Sequence, residues 1–164
     1  MYGMSAFGLT RQLGIQRAEA QAYLDTYFAR YTGVRDYMEN IKARAKEDMF
    51  VETIMGRRLY LKEINAANGL RRQAAERAAI NAPLQGSAAD IIKKAMLDID
   101  ELILNELPEV KMIMQVHDEL VFECPKENAN LIMQKMKETM EQTVELKIPL
   151  IAEAAVGSNW NEAH

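Results

Sequence analysis

Two apolar, alternating runs flank a short polar segment in the second half of the chain, and this pattern constrains the fold more than any other feature. Residues 111–116 and 120–123 have the side-chain pattern that is typical of β-strands. His117, Asp118 and Glu119 lie between the two runs. The spacing predicts a β-hairpin that carries two carboxylates at its bend.

An acidic pair at such a bend is compatible with two kinds of structure. Adjacent carboxylates point to different sides of the backbone, so one can bind a divalent cation while the other contacts a neighbouring ligand or the outer shell of the metal. Mg²⁺ prefers oxygen ligands and usually takes one or two protein carboxylates together with phosphates and water. A polar turn without a ligand is the alternative, because acidic residues are common in tight turns. His117 adds a third polar group at the end of rigid strands, which favours a functional site.

The rest of the chain is predicted to be mainly helical. Helical periodicity indicates helices over about 17–31, 34–48, 70–82, 87–107 and 128–146. Gly33 separates the first two, and Pro83 predicts a break or kink because proline removes a backbone donor and restricts the preceding residue. Segment 50–61 is predicted to hold two short extended pieces around Gly56, and 148–156 a final strand. These elements predict an α+β fold in which helices cover one face of an antiparallel sheet. In the last helix, the side chains expected to face the core are Leu131, Ile132, Met136 and Met140.

Composition limits the class of protein. The chain has 164 residues, of which 49% are hydrophobic, and this is enough for the core of about one domain. No apolar run approaches the ~20 residues of a membrane-spanning helix, and the start of the chain lacks a signal-peptide pattern. Cys124 is the only cysteine and cannot form an internal disulfide, so we expect a packed thiol in a reducing compartment.

The net charge of −4 conceals an uneven distribution of charged residues. Residues 1–94 hold 15 Lys and Arg against 10 Asp and Glu, whereas residues 95–164 hold 5 against 14. The positive part contains a basic group that consists of Arg57, Arg58, Lys62, Arg71, Arg72 and Arg77. Such a group can neutralise the phosphates of a nucleic acid, or it can form a solvated helix face that is compensated by acids.

Four segments carry a further signal, namely 2–9, 53–61, 76–90 and 115–119. In matching order, they resemble motifs of family A of the DNA polymerases, the bacterial DNA polymerase I family. The corresponding motifs are the end of motif B (a fingers helix over the nucleotide site), a basic turn, the segment along the minor groove of the primer–template, and motif C. Asn159, Trp160 and the terminal His164 resemble the C terminus of the family. The resemblance implies a mostly helical remnant of the fingers over 1–80. It implies a remnant of the palm, with an antiparallel sheet and covering helices, over 81–164.

The resemblance also implies a role for each residue at the predicted bend. Asp118 would be the catalytic metal ligand, Glu119 would shape the metal site and the primer end, and His117 would contact the primer terminus. Two Mg²⁺ ions are implied, and they require carboxylates from two separate strands. The second carboxylate, and the Arg and Lys that grip the triphosphate, are expected upstream of Met1.

A DNA-binding surface is implied as well. Tyr2 would lie near the templating base, and Arg77, Asn81 and Gln85 would touch the DNA. Positions four residues apart lie on one face of a helix, which supports this grouping independently. The predicted break at Pro83 leaves the direction of Gln85 open, and helix capping around that proline is the alternative role for Asn81 and Gln85.

Two functions from different classes follow. The first is that of a DNA-directed DNA polymerase of replication and repair, with primer–template DNA and deoxynucleoside triphosphates as partners; the chain alone is predicted to be inactive. The second is a non-catalytic DNA-binding or structural role. A metal-dependent nuclease would need a second acidic cluster. We expect a cytoplasmic, nucleoid-associated location without a membrane partner, and self-association through exposed former interfaces and an open sheet edge.

Overall fold

Helices and two small antiparallel sheets make up the protein in the computed structural model, which describes residues 6–163. The chain divides into two compact units, of which the first ends at Ser87 and the second begins at Ala88. In chain order, the elements are α1 (Ala6–Leu13), α2 (Arg17–Arg30), α3 (Thr32–Asp48), β1 (Phe50–Glu52), β2 (Arg58–Tyr60), α4 (Gly69–Glu106), β3 (Lys111–Val116), β4 (Glu119–Glu123), a 3-10 turn (Lys126–Asn128), α5 (Ala129–Gln142) and α6 (Trp160–Ala163). The predicted α+β class is confirmed.

Helices α2 and α3 are separated at Tyr31, whose φ of −111° and ψ of 66° are not helical. Glu19 in the first turn of α2 and Arg30 in its last turn complement the helix dipole. The ring of Tyr27 lies 4.9 Å from the ring of Tyr31, between their centres, and this contact supports the chain at the break. Gly33 lies inside the first turn of α3, so the prediction that it forms the interruption is wrong.

Strands β1 and β2 form the two extended pieces that the sequence predicts, and their turn contains Gly56 with a φ of +80°. A residue with a side chain is disfavoured at this φ. Across the pair, Arg58 Nε donates to Glu52 Oε1 at 2.7 Å, and the Arg58 guanidinium lies 4.4 Å from the centre of the Phe50 ring. The first core connects this sheet with α3 and α4 through Ala45, Val51, Leu61, Ile64, Ala75 and Ala79.

Helix α4 is continuous over 38 residues, so a break at Pro83 is wrong, whereas a kink at Pro83 stays a prediction. Asn68 Oδ1 accepts from the backbone N–H of Leu70 at 2.9 Å and so caps the start of the helix. Pro83 removes one donor, but alanine-rich flanks favour the helix, and Ser87 Oγ donates to the Pro83 carbonyl oxygen. Neither α4 nor another described helix is apolar over enough length to cross a membrane.

The hairpin of β3 and β4 packs on α4 and α5 in the second unit. Its register pairs Met112 with Phe122, and both side chains contact the second core. An irregularity between Met112 and Met114 leaves Ile113 as an extra residue on β3, and Ile113 is half exposed. Helices therefore cover one face of the hairpin, as predicted. The buried residues of the second core are Ile99, Leu107, Val110, Ile132 and Met136.

The final strand predicted over 148–156 is wrong. A strand needs a neighbour for its backbone hydrogen bonds, and within residues 6–163 β3 and β4 pair only with each other. The backbone N–H of Ala152 donates instead to a side chain, at 3.0 Å from Glu141 Oε1. Ile151 remains 72% exposed, which is consistent with a segment that lies outside the sheet.

Helix α5 buries most of the side chains that its periodicity predicts. Ala129, Ile132 and Met136 are buried, and Met140 packs against the same core. Leu131 is 57% exposed, so the expectation that it faces the core is wrong. Leu131 is rotated by about 100° from Ile132 around the helix, and this places it beside the buried stripe.

Candidate metal and nucleic-acid sites

The hairpin tip, which consists of His117, Asp118 and Glu119, contains a two-residue turn. Val116 pairs with Glu119, the first residue of β4, so His117 and Asp118 lie outside the ladder. His117 has a φ of +54°, in the left-handed region that histidine enters more readily than most residues. The side-chain amide of Gln115 donates to the carbonyl oxygen of His117 and fixes the bend. The side chains of His117 and Asp118 are both exposed.

The two carboxylates of the hairpin tip have different surroundings. Asp118 is exposed, and its side chain makes no hydrogen bond or ion pair with other residues in the range 6–163. Glu119 is half-buried, and its Oε1 accepts from the indole Nε1–H of Trp160 at 2.8 Å. Asp118 is therefore the carboxylate that is open to a ligand, whereas the indole holds Glu119.

A divalent cation at the hairpin tip would find one open carboxylate. Within the described part of the chain, no group of three or more His, Cys, Asp and Glu side chains is arranged to hold a metal ion. Mg²⁺ commonly takes one or two protein carboxylates and completes its octahedron with phosphates and water. Asp118 has the chemistry of one protein ligand in a site of that kind.

The helix face formed by Arg77, Asn81 and Gln85 is continuous, because α4 runs through Pro83 without a break. Helix capping, the alternative role for Asn81 and Gln85, is excluded because no helix ends there. Arg77 and Gln85 are exposed, and Asn81 is half-buried. Asn81 Oδ1 is buried and has no hydrogen-bond donor within reach among the described residues. The three side chains therefore lie on one side of the first unit. The acceptor without a donor among the described residues is Asn81 Oδ1.

Acids neutralise part of the basic group. Arg58 and Arg71 form salt bridges with Glu52 and Glu63, over 2.7 and 3.9 Å. For these cations, the alternative of a solvated face that is compensated by acids therefore applies. Two members of the basic group have no acidic partner among residues 6–163, namely Lys62 and Arg77. Arg77 is thus an exposed, uncompensated cation on the helix face.

The sequence did not predict the contact that joins α4 to the basic turn between β1 and β2. The backbone N–H of Ile54 donates to the buried Ser87 Oγ at 2.9 Å, and this hydroxyl donates in turn to the Pro83 carbonyl oxygen. A Cβ atom on Gly86 would lie 2.6 Å from Thr53 Cγ2, so a larger residue does not fit. The Gly-Ser pair shortly after the proline is the signal of this close approach. These contacts attach the basic turn to α4, the helix on which Arg77, Asn81 and Gln85 lie.

Each unit contains a carboxylate that ties α4 to a neighbouring element. In the first unit, Lys46 Nζ lies 2.8 Å from Glu76 Oε1, and this hydrogen bond lowers the pKa of Glu76. In the second unit, burial acts to raise the pKa of Asp98, but hydrogen bonds from Lys94 and from the buried Thr143 outweigh it and lower the pKa. Both carboxylates are therefore stabilised in the ionised form.

Cys124 packs beside the second core, as predicted. Burial raises the pKa of its thiol, and the negative charge of Glu109 raises this pKa further. The thiol is therefore held protonated and is a poor nucleophile.

The predicted site residues fall in both units. Arg77, Asn81 and Gln85 lie in the first unit, and the hairpin tip lies in the second. Tyr2 lies outside the described residues, so the role predicted for it stays a prediction.

A family model described as DNA polymerase family A matches residues 1–162, and the chain belongs to this family. It is 53% identical to DNA polymerase I of Pseudomonas aeruginosa over 164 residues, which are 100% of this chain and 18% of the relative. It is 46% identical to DNA polymerase I of Streptococcus pneumoniae over 163 residues, which are 99% of this chain and 19% of that relative. The resemblance stated from the motifs is confirmed.

Solved structures include a close match to the fold. The chain superposes with a TM-score of 0.95 and 42% identity on the POL domain of Pol1 from M. smegmatis, in complex with DNA primer-template and dNTP. The match covers 99% of this chain and 29% of that one. The chain thus spans about a fifth of the length of the curated relatives it matches.

Proposed function

We propose that this chain supplies part of the active site of a DNA-directed DNA polymerase, which extends a primer 5′ to 3′ by template-directed nucleotidyl transfer in replication and repair. The observation that carries the proposal is the exposed Asp118 carboxylate at the end of a two-residue turn. Family membership supports the same chemistry. In this proposal, residues 1–80 belong to the fingers, residues 81–164 belong to the palm, and the enzyme acts on chromosomal DNA in the cytoplasm.

Asp118 holds one of two Mg²⁺ ions in the proposed mechanism. Bound at such a site, two ions supply activation of the primer 3′-hydroxyl and stabilisation of the pyrophosphate that leaves. Asp118 is suited to this role because its side chain is exposed and forms no hydrogen bond among the described residues. Glu119 shapes the site beside it, and His117, exposed at the same turn, contacts the primer terminus.

The helix face binds the primer–template in this proposal. Arg77 is an uncompensated cation and neutralises a phosphate. The amides of Asn81 and Gln85 can donate to the N3 and O2 acceptors that all base pairs present in the minor groove, so their contacts test pairing geometry and not sequence. Tyr2 contacts the templating base. The DNA primer-template and dNTP bound by the M. smegmatis relative support these partners.

Primer extension with Mg²⁺ and four deoxynucleoside triphosphates tests the proposal. The assay compares this chain with the polymerase-length protein that contains it. We expect extension by the longer protein alone, because the second carboxylate lies outside this chain. Asp118→Ala should abolish the extension, whereas Asp100→Ala, which removes an exposed aspartate from α4, should retain it.

Two outcomes would change the proposal. Extension by the short chain would mean that it contains a second metal carboxylate. Failure of the longer protein, with folding intact, would favour a non-catalytic DNA-binding role. Retention of DNA affinity by that inactive protein would distinguish this role from a purely structural one.

The isolated chain is also proposed to self-associate. Leu97 and Leu104 lie two turns apart on α4 and are 71% and 73% exposed. Exposed apolar surface of this kind favours association. Light scattering after size exclusion should give a mass above the 18.6 kDa of one chain, and Leu97→Lys with Leu104→Lys should return the mass to that value. A monomer at every concentration would refute this part of the proposal.

A further inference from the structure

The last residues of the described chain form a compact structure that places one aromatic side chain at the hairpin. Asn159 Oδ1 accepts from the backbone N–H of Glu162 at 3.2 Å, and Glu162 Oε2 accepts from the backbone N–H of Ser158 at 3.0 Å. A Cβ atom on Gly157 would lie 2.7 Å from the backbone nitrogen of Ala163, so the chain folds back closely at this glycine. These contacts fix the start of α6, where Trp160 lies.

The contact of Trp160 with Glu119 joins positions that are 41 residues apart in the sequence. A tryptophan that served only as an apolar anchor would be expected in a core, yet Trp160 is 45% exposed. Its Nε1–H donates to a carboxylate at 2.8 Å, and hydrogen bonds to ionised acceptors are about twice as strong as neutral ones. The geometry is therefore that of a directed polar contact.

We infer that Trp160 is a positioning residue for the metal site. Its hydrogen bond to Glu119 Oε1 keeps the Glu119 carboxylate away from the cation that Asp118 binds in the proposed function. The inference rests on the proposed function of Asp118. Glu119 directly follows Asp118 and begins β4, so a released carboxylate could turn toward the same cation. The bond thus leaves Asp118 as the carboxylate that the turn presents and defines the geometry of the cation site.

A mutant cycle in the polymerase-length protein tests this role by the Mg²⁺ concentration that gives half-maximal extension. Trp160→Phe keeps a ring and removes the donor, and it should raise this concentration about tenfold, as loss of an outer-shell partner commonly does. In a Glu119→Gln background, where the carboxylate charge is gone, the same change should have an effect below about twofold. Equal effects in both backgrounds would overturn the inference and make Trp160 a packing anchor.

A spectroscopic readout on the chain itself does not depend on activity. Trp160 is the only tryptophan, so one indole N–H resonance reports on the contact. Glu119→Gln should shift this resonance to lower frequency because the ionised acceptor is lost. Mn²⁺ should broaden the resonance in the wild type and leave it sharp in Asp118→Asn. A resonance that Glu119→Gln does not move would overturn the inference even if Trp160→Phe failed to fold.

The two failures are distinguishable. If Asp118→Ala retains extension, the proposed metal ligand is wrong, and the inference falls with it. If Asp118 is required and the Trp160 effects are equal in both backgrounds, only the positioning role is wrong.

Discussion

The helix face and the hairpin tip both present polar side chains to solvent, but they are supported in different ways. The helix face lies on α4, which remains helical on both sides of Pro83, and Ala75 and Ala79 of the same helix are buried in the first core. In the hairpin tip, His117 and Asp118 project beyond the last paired residues of a two-stranded ladder. Its geometry depends on side-chain hydrogen bonds from Gln115 and Trp160.

This difference determines how each region responds to substitution. A change on the helix face should remove a contact and leave the backbone in place. A change at the hairpin tip should alter the chemistry without unfolding the protein, because the turn contributes little to the core.

Asp118→Ala should have the largest effect, a fall of about 10³-fold or more in the rate of primer extension by the polymerase-length protein. The reason is the loss of the carboxylate that is proposed to hold the metal. DNA affinity and the urea midpoint should remain within error of the wild type, since Asp118 is exposed and outside the ladder. A large loss of stability would show that the hairpin tip is structural and would contradict the comparison.

Gly86→Ala should have the next largest effect, a loss of about 1–3 kcal/mol in the free energy of unfolding. The added methyl group would lie 2.6 Å from Thr53 Cγ2, and relief requires movement of the turn that the Ser87 contact fixes. Urea denaturation measures the loss. Gly33→Ala is the matched control, because Gly33 is helical and a Cβ atom added there would have nothing within 4 Å, so this change should stabilise the protein slightly.

Equal destabilisation by both glycine substitutions would refute the steric argument. If Gly86→Ala also weakens DNA binding while Gly33→Ala does not, the position of the basic turn contributes to the binding surface. That result would mean that the proposed DNA-binding surface includes the basic turn as well as the helix face.

Arg77→Ala should weaken primer–template binding by about 1 kcal/mol and reduce the slope of log affinity against log salt by about one. The reason is the loss of one proposed phosphate contact, at a cation without an acidic partner among the described residues. Arg30→Ala, which removes an exposed cation from α2, is the control and should leave the slope unchanged. A slope that is equal in both variants would exclude Arg77 from the binding surface.

The sequence predicted the elements whose signals are local. The alternation on both sides of residues 117–119 predicts the hairpin. The resemblance to the family groups Arg77, Asn81 and Gln85, and their four-residue spacing supports this grouping. The break predicted at Pro83 is wrong because alanine-rich flanks favour a helix that proline alone would end. The strand predicted over 148–156 is wrong for a different reason, because β-forming composition does not supply a neighbouring strand.

The candidate site was predicted in its residue types and not in its contacts. The sequence indicated Asp118 and Glu119 as a pair, but only the fold separates an exposed carboxylate from one held by Trp160. That bond spans 41 positions, and no periodicity encodes a contact of this range. Motif resemblance assigned the same residues because the family pattern carries the long-range information that local spacing lacks.

The smallest effects should come from Glu76→Gln in the first unit and Asp98→Asn in the second, each less than about 1 kcal/mol at neutral pH because these ion pairs are partly exposed. Both folded-state pKa values are lowered, so the stabilisation is present above the ordinary values of 4.5 and 3.8. It is lost as the pH falls through the lowered pKa values. Urea midpoints between pH 7 and pH 3 should therefore converge for wild type and variants at the acidic end. Glu47→Gln, at an exposed position on α3, is the control and should follow the wild type throughout. Convergence in one unit only would show that the two units differ in acid stability as well as in the way they support their polar residues.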